Sequence, residues 1–600
     1  MADYTPPLRD IKFVLANIVD LAGLSALEGF EHADPDTVFG ALDEGGRFMA
    51  EVVAPTNTIG DQEGAVLSDD GTVVTPEAFK AVYNSYVEAG WGAVPFPPEY
   101  GGHGFPWVVG LAVQEMLTAS NMAFSLNPML TQGAIEAVLL HGSDELKGKY
   151  LEKLITAEWS GTMVLTEPQA GSDLGAVRTK AVPQGDGTYR LTGQKIFITW
   201  GDHDLADNVI HLVLARTPDG KPGTKGLSMF LVPKILVNDD GTLGERNEVE
   251  VVSLEHKLGI HASPTCVLAF GDNEGSVGYL VGEEFEGMKN MFTMMNSARL
   301  SVGLQGLAIS ERAYQDALQY AQERKQGRAV GTQPGDSSPI IDHPDVRRML
   351  MTQRAYIEAV RSLLYTNAEA MDIALNHPDE DRRREAAELA DLLTPLSKAW
   401  ATDLGVELTS LALQVHGGMG FVEETGVAQH FRDARIAPIY EGTNGIQAMD
   451  LVGRKLPMRG GEVVRGFIGT LAAIDTELAA AGDDLASIRS GMTDAIAALS
   501  DATMWLAQRG MENINDALAA ATPYLRMFAT VTGGWFMARQ ALAAHAALNN
   551  GSAGDEYLQA KIVTAKFYVE QLLPQAAGLL GAVKGGSDRL FEIEPEFLGV

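Results

Sequence analysis

Cysteine is almost missing from these 600 residues, with Cys266 standing alone. No internal disulfide can form, and no second thiol exists to build a zinc or iron–sulfur ligand set. The twelve histidines contain no HExxH and no close pair on an expected helix. His256 and His261, in LEHKLGIHASP, read as surface or hydrogen-bonding residues, so no metal is expected. Basic residues are also scarce: Lys+Arg number 45 against 79 Asp+Glu, a net charge of −34. Such a surface repels a phosphate backbone or an anionic membrane, and nucleic acid is not an expected partner. No run of eighteen apolar residues occurs, so no integral membrane association is expected. The opening MADYTPPLRDIKFVLANIVDL carries acidic residues and prolines around a brief apolar run, unlike a signal or transit peptide. A cytoplasmic location is the expectation. No GxSxG elbow supplies a hydrolase nucleophile.

What is present is ample apolar content, 46% of the chain with only 21% charged, over a length beyond one hydrophobic core. Residues 1–160 read as helical, with apolar three-and-four spacing in PEAFKAVYNSYVEAG and VVGLAVQEMLTASNMAF, broken by the turn-forming PFPPEYGGHGFP. Residues 161–278 change texture. Runs such as TYRLTGQKIFIT, VIHLVLART and TCVLAF alternate with PQGDG and PDGKPGTKG turns, which predicts an antiparallel sheet domain with Cys266 buried in a strand. Without helices between these strands, a doubly wound dinucleotide fold is disfavoured. Residues 279–455 return to helix, with Met288, Met291, Phe292 and Met295 on one face as core. The polar QGRAVGTQPGDSSP interrupts this region, and NHPDEDRRREAAELADLL restarts it with an Asn or Asp cap. Residues 456–600 are Ala-rich and predict an additional helical domain. The fold class is α+β.

Three glycine-bearing segments carry the chemistry. MVLTEPQAGSDLGAVRTKA places Thr166, Gly171 and Ser172 in a loop after a strand, where small residues let amides approach an anion. LQVHGGMGF puts Gly417, Gly418 and Gly420 after a helix, which suits a helix end and tight turn and fails the Rossmann context. FRDARIAPIYEGTNGIQAMDLV holds Glu441 beside Tyr440, before an apolar helix. A desolvated carboxylate there suits a general base; an isolated glutamate equally serves as a helix cap or ion-pair partner.

Taken together and in this order, TEPQAGSD, KIFIT and RDARIAPIYEGTNGIQ resemble the signatures of the acyl-CoA dehydrogenase family, over roughly residues 80 to 455. The resemblance implies an N-terminal helical domain, a central β domain and a C-terminal four-helix bundle, with FAD and the acyl-CoA meeting between them. The region past residue 460 resembles the large subfamily with an added helical domain, which includes broad-range fatty acyl-CoA and methylthiopropanoyl-CoA dehydrogenases and tends toward homodimers. By the same resemblance, Glu441 removes the α-proton while a hydride leaves the β-carbon for the flavin, giving a trans-2-enoyl-CoA. The Glu441 backbone N–H and a flavin hydroxyl would stabilise the enolate.

The implied FAD contacts are Met163, Thr166, Gly171, Ser172, Phe197, Thr199, Arg324, Gln414, Gly417, Gly418, Thr443 and Asn444, with Arg324, Gln414 and the two glycines serving the neighbouring subunit. The implied substrate contacts are Ser172, Asn296, Arg299, Tyr440 and Gly442, and Arg299 is the buried arginine near the catalytic carboxylate. The pattern also departs from the family. Arg324 is followed by a shortened Lys325–Gln326–Gly327, Pro344 replaces a glutamine donor to FAD, and Phe197 replaces a tryptophan. Ala298 occupies the position of an alternative base in some members, which leaves Glu441. An electron-transferring flavoprotein is the implied acceptor. Medium to long straight-chain acyl-CoA is the expected substrate, with methylthiopropanoyl-CoA, an oxygen-using oxidase and a non-catalytic scaffold as alternatives.

Overall fold

The computed structural model describes residues 3–331, 335–552 and 554–599; residues 332–334 of the polar stretch lie outside them. The described residues gather into two compact units, a sheet-bearing one from 43–105 and 113–301 and a helical one from 1–42, 106–112 and 302–600. Three early helices matter here: α1 (Leu8–Asn17), α2 (Trp107–Ser120) and α3 (Met122–His141). The eight strands of one sheet follow: β1 (Trp159–Val164), β2 (Lys180–Pro183), β3 (Thr188–Thr199), β4 (Asn208–Arg216), β5 (Leu227–Pro233), β6 (Val249–Leu254), β7 (Thr265–Phe270) and β8 (Ser276–Val281). The later helices that bear on the site and its supports are α4 (Gly287–Glu323), α5 (Pro344–Asn376), α6 (Glu380–His416) and α7 (Asn444–Asp450), then α8 (Ala486–Glu512), α9 (Ile514–Asn549) and α10 (Glu556–Phe567).

In the sheet-bearing unit the strands lie in the order β6-β7-β3-β8-β5-β4-β1, with β2 beside β3. The sheet is mixed, which corrects the antiparallel expectation: β1 runs parallel to β4, Trp159 opposite Asn208 and Val164 opposite Val213. The reason is connectivity. A long loop, β2 and β3 intervene between β1 and β4, and so long a crossover permits parallel pairing where a hairpin cannot. Strand β2 also touches β4 at Lys180 and Arg216, so β3, β8, β5, β4 and β2 close a ring. Val164, Leu191, Val213, Phe230, Cys266 and Phe270 belong to its buried core. The helical N-terminal stretch contains a hairpin that apolar spacing does not predict, Val66–Leu67 with Val73–Val74. Of the expected methionine face, Met291 is buried, while Met288, Phe292 and Met295 are half-buried.

In the helical unit, α5 and α6 are joined by three residues, and Asp379 caps α6 by accepting from the Asp381 and Arg382 amides. Helix α4 crosses α6 at glycines: a Cβ on Gly306 would stand 2.1 Å from the Ala401 carbonyl oxygen. The backbones therefore touch there, and only glycine fits. The fourth member of the bundle, α7, is seven residues long. No helix among the described residues is long and apolar enough to cross a membrane.

The Ala-rich C-terminal helices are tied to this bundle by buried charge. Lys561 on α10 has no exposed side chain and lies 2.8 Å from Asp10 on α1 and 3.2 Å from Glu358 on α5. Its ammonium also donates to Gln540 on α9 at 2.9 Å. Arg361 of α5, equally buried, pairs with Glu311 of α4 at 2.9 Å and with Asp10 at 3.4 Å. Burial works to raise the Asp10 carboxyl, but Lys561 and Arg361 overcome it and hold the group well below the usual carboxylate range. Lys561→Met strips Asp10 and Glu358 of a counter-charge and is expected to destabilise the helical unit by about 3–5 kcal/mol at neutral pH. The gap from wild type should shrink below about pH 4, where the unfolded chain takes up protons that wild-type Asp10, held low by Lys561 and Arg361, still resists, so that its share of the stability is lost. Denaturant titrations at pH 7 and about pH 3 check both statements.

Candidate active site

The sheet-bearing unit displays one set of site residues around a bulge in β3. Opposite β7, Cys266 pairs with Ile198 but Leu268 pairs with Lys195, so β3 carries one residue more than its partner. The extra residue lets Phe197 enter the left-handed region at φ +58° and stand 58% exposed. A non-glycine there costs about 1–2 kcal/mol, and strain of this kind collects at bulges that re-aim a side chain. Thr199 is half-buried two residues on, and Trp200, also left-handed, is buried and donates its indole N–H to the Ala123 carbonyl at 3.2 Å.

The loop after β1 is stitched to this bulge. The Thr166 carbonyl accepts from the Ile196 amide at 2.9 Å, which brings Thr166 beside Phe197. Met163 is buried within β1; Gly171 and Ser172 are exposed in the loop, and a Cβ on Gly171 would meet nothing. Two residues outside the expected set anchor the loop. Glu167 is buried and pairs with the fully buried Lys195 at 2.9 Å. It also accepts from Arg178 N at 2.7 Å, Thr179 N at 3.0 Å and Thr179 Oγ1 at 2.6 Å. Burial pushes up the Glu167 carboxyl, and Lys195 with these donors more than offsets that, holding it below its ordinary range. Lys195 also donates to the Leu165 and Leu214 carbonyls, both at 2.8 Å.

The same unit holds the first turns of α4. Arg299 is buried, donates to Asn296 Oδ1 at 3.4 Å and lies over the Phe292 ring. Burial pushes the nearby Glu136 carboxyl on α3 up to about 7, against a hydrogen bond from Ser297.

The helical unit displays the rest in two places. In the loop before α7, Glu441 is half-buried at φ +56° and Gly442 follows at φ +84°. Thr443 caps α7 by accepting from the Ile446 amide at 3.4 Å. Asn444 is bound to α6: its Oδ1 accepts from Lys398 at 2.8 Å, and its Nδ2 donates to Asp403 at 2.7 Å and to the Ala399 carbonyl at 3.1 Å. Its amide thus fixes the loop to α6. The Tyr440 hydroxyl donates to Gln305 Oε1 on α4 in a short bond. Burial, with the Glu441 charge added, raises the Tyr440 phenol far above its ordinary range.

The second place is where α4 and α6 end together, Tyr320 stacking on His416 with ring centres 4.4 Å apart. This brings Arg324, Gln414, Gly417 and Gly418 to one exposed end, with Met419 47% and Phe421 90% exposed beside them. Glu167 and Lys195 lie within the TEPQAGSD and KIFIT segments, but nothing local assigns them a role, and Gln305 and Lys398 lie outside every motif, because each acts through a partner distant in the chain.

Four family models tile the sequence in order: acyl-CoA dehydrogenase N-terminal domain over residues 44–158, middle domain over 162–273, C-terminal domain over 286–456, and acetyl-CoA dehydrogenase C-terminal like over 469–594. The 3-methylmercaptopropionyl-CoA dehydrogenase of Ruegeria pomeroyi is 48% identical over 98% of this chain and 99% of its own. The chain belongs to the acyl-CoA dehydrogenase family. This acyl-CoA dehydrogenase is a flavin-dependent oxidoreductase with FAD as its cofactor, and the scaffold alternative falls away. A broad-specificity linear acyl-CoA dehydrogenase of Mycobacterium tuberculosis is 36% identical over 96% of both chains. The crystal structure of Caenorhabditis elegans ACDH-11 in complex with C11-CoA shares the fold, with a TM-score of 0.76 at 19% identity over 99% of this chain and 97% of its own.

The residues present fit a flavin. Phe197 offers an exposed apolar ring for a flat aromatic group, with Thr166 stitched to the neighbouring Ile196 and Thr199 two residues on, and an open glycine–serine loop suits a phosphate. Glu167→Gln is expected to leave Lys195 buried without a counter-charge, destabilise the sheet-bearing unit by about 3–5 kcal/mol and lower the flavin content of the purified protein. Urea unfolding and the flavin-to-protein absorbance ratio check it.

Proposed function

We propose that this acyl-CoA dehydrogenase oxidises a short straight-chain acyl-CoA, 3-methylthiopropanoyl-CoA being the favoured thioester, with Glu441 as the base. The observation that carries the base is the pair Tyr440–Glu441: a half-buried carboxylate in strained left-handed backbone, beside a half-buried phenol whose ionisation it opposes. A carboxylate held this way takes the α-proton of the thioester onto an Oε atom. FAD, when bound, supplies the two-electron acceptor that takes the β-hydride as the Cα–Cβ bond becomes double. Thr166, Phe197 and Thr199 would cover and hydrogen-bond its ring, and Gly171 with Ser172 would meet its phosphate. Arg324, Gln414, Gly417 and Gly418 would grip the FAD of a second copy, and the exposed Met419 and Phe421 beside them support a homodimer. Arg299 and Asn296 are the substrate contacts proposed in the sheet-bearing unit, and Tyr440 and Gly442 those proposed in the helical unit. Electrons would pass to an electron-transferring flavoprotein in the cytoplasm.

The substrate rests on full-length likeness to the Ruegeria pomeroyi dehydrogenase, which outweighs the medium to long chain expected from the sequence. A thioether sulfur stands in for a methylene in size and apolarity, so one pocket accepts this thioester and a short fatty acyl chain alike.

Glu441→Gln is expected to keep its FAD and lose substrate-driven flavin reduction by about 10³–10⁴-fold; anaerobic stopped-flow bleaching measures it, and a rate within tenfold of wild type removes Glu441 as the base. Anaerobic titration with butanoyl-, octanoyl-, hexadecanoyl- and 3-methylthiopropanoyl-CoA should bleach the flavin at the lowest concentration of the last, with slow recovery in air. Bleaching by hexadecanoyl-CoA alone would reverse the chain-length reading, and rapid recovery with peroxide would make the enzyme an oxidase.

A further inference from the structure

The Tyr440 hydroxyl has one proton to donate and two acceptors in its surroundings. One is Gln305 Oε1 on α4, which receives it, and Gln305 is 1% exposed. The other is the Glu441 carboxylate, next in the chain and near enough for its charge to oppose ionisation of the phenol. A carboxylate that gains a hydroxyl donor becomes a weaker base, because the bond stabilises its charged form. Gln305 is buried, so the acceptor end of this bond is shielded from water and the proton stays where the protein aims it.

We infer that Gln305 is a positioning residue that holds the Tyr440 hydroxyl away from Glu441 and so keeps that carboxylate basic. The inference rests on Glu441 being the base. Nothing in the glycine-rich signature around Glu441 points to Gln305, which stands 136 positions earlier and meets the loop only through α4. The charged groups placed around this loop in its own unit are Lys398 and Asp403, both engaged by Asn444. Beyond them lie Arg526 and Glu407, paired at 2.6 Å, and the exposed Arg435. All five stay constant in the variants below.

The test is the pH dependence of flavin reduction in the holoenzyme with a saturating acyl-CoA. In Gln305→Leu the phenol loses its acceptor and turns to Glu441. The acidic limb of the rate should then move down by about one pH unit, and the plateau rate should fall about tenfold as the base weakens. Tyr440→Phe should leave the limb at its wild-type position, and Tyr440→Phe in the Gln305→Leu background should bring it back. A packing role for Gln305 would lower the rate in both backgrounds without moving the limb, and would overturn the inference. So would a shift that survives removal of the hydroxyl. If Gln305→Leu does not fold, Gln305→Met, closer in shape, takes its place. Retained activity in Glu441→Gln would sink the base itself, whereas an inactive Glu441→Gln with an unmoved limb in Gln305→Leu would sink only the part given to Gln305.

Discussion

A buried ammonium must be surrounded by acceptors, because an unpaired charge out of water costs several kcal/mol. Three lysines with no exposed side chain impose that condition on this molecule, and each one fastens a segment the enzyme needs. Lys195 draws Glu167 and two carbonyls inward and so fixes the loop that follows β1. Lys398 donates to Asn444 and ties the loop carrying Glu441 to α6. Lys561 gathers Asp10, Glu358 and Gln540, which brings the N-terminal helix and the Ala-rich helices onto the bundle. Exchange of any of these for a neutral side chain leaves carboxylates or carbonyls facing one another in low dielectric.

The anchors explain how strained backbone survives at Phe197 and at Glu441, the proposed base. Phe197 and Glu441 both hold φ values that side chains with a Cβ avoid. A loop free to relax would lose that conformation, since the cost exceeds thermal energy. Stitched to a bulge on one side, and to α4 and α6 through Gln305 and Asn444 on the other, neither can relax without breaking buried hydrogen bonds. The strain therefore aims the Phe197 ring outward and holds the Glu441 backbone against rigid elements.

Much of the fold could be read from the chain. Apolar spacing of three and four gave the long helices, alternation and turn residues gave the strands, and the Ala-rich text gave the added helical region. The parallel pairing of β1 with β4 could not be read, because strand direction depends on which strands meet, and residue pattern carries no record of that. The short hairpin near Val66 escaped for a different reason: two-residue strands are below the length at which alternation is detectable. Met288 and Met295, expected as core, lie half-buried, since a helical face predicts that residues share a side and not how completely that side is covered.

For the site, local chemistry was legible and its support was not. Glu441, Tyr440, Thr166, Phe197 and the glycine turns sit in contiguous motifs, because a loop that must approach a ligand closely needs small residues and special backbone in one short stretch. Glu167 and Lys195 stood inside quoted motifs without a legible role, and Gln305 and Lys398 stood outside them, since a buried polar residue takes its meaning from a partner brought to it by the fold. The sequence by itself determined the family and the order of helix and strand, and it named the base that is proposed, all of which depend on neighbours in the chain. Tertiary structure alone decided which distant charge is buried against which, where the Tyr440 proton points and how far Phe197 stands out, because those depend on neighbours in space.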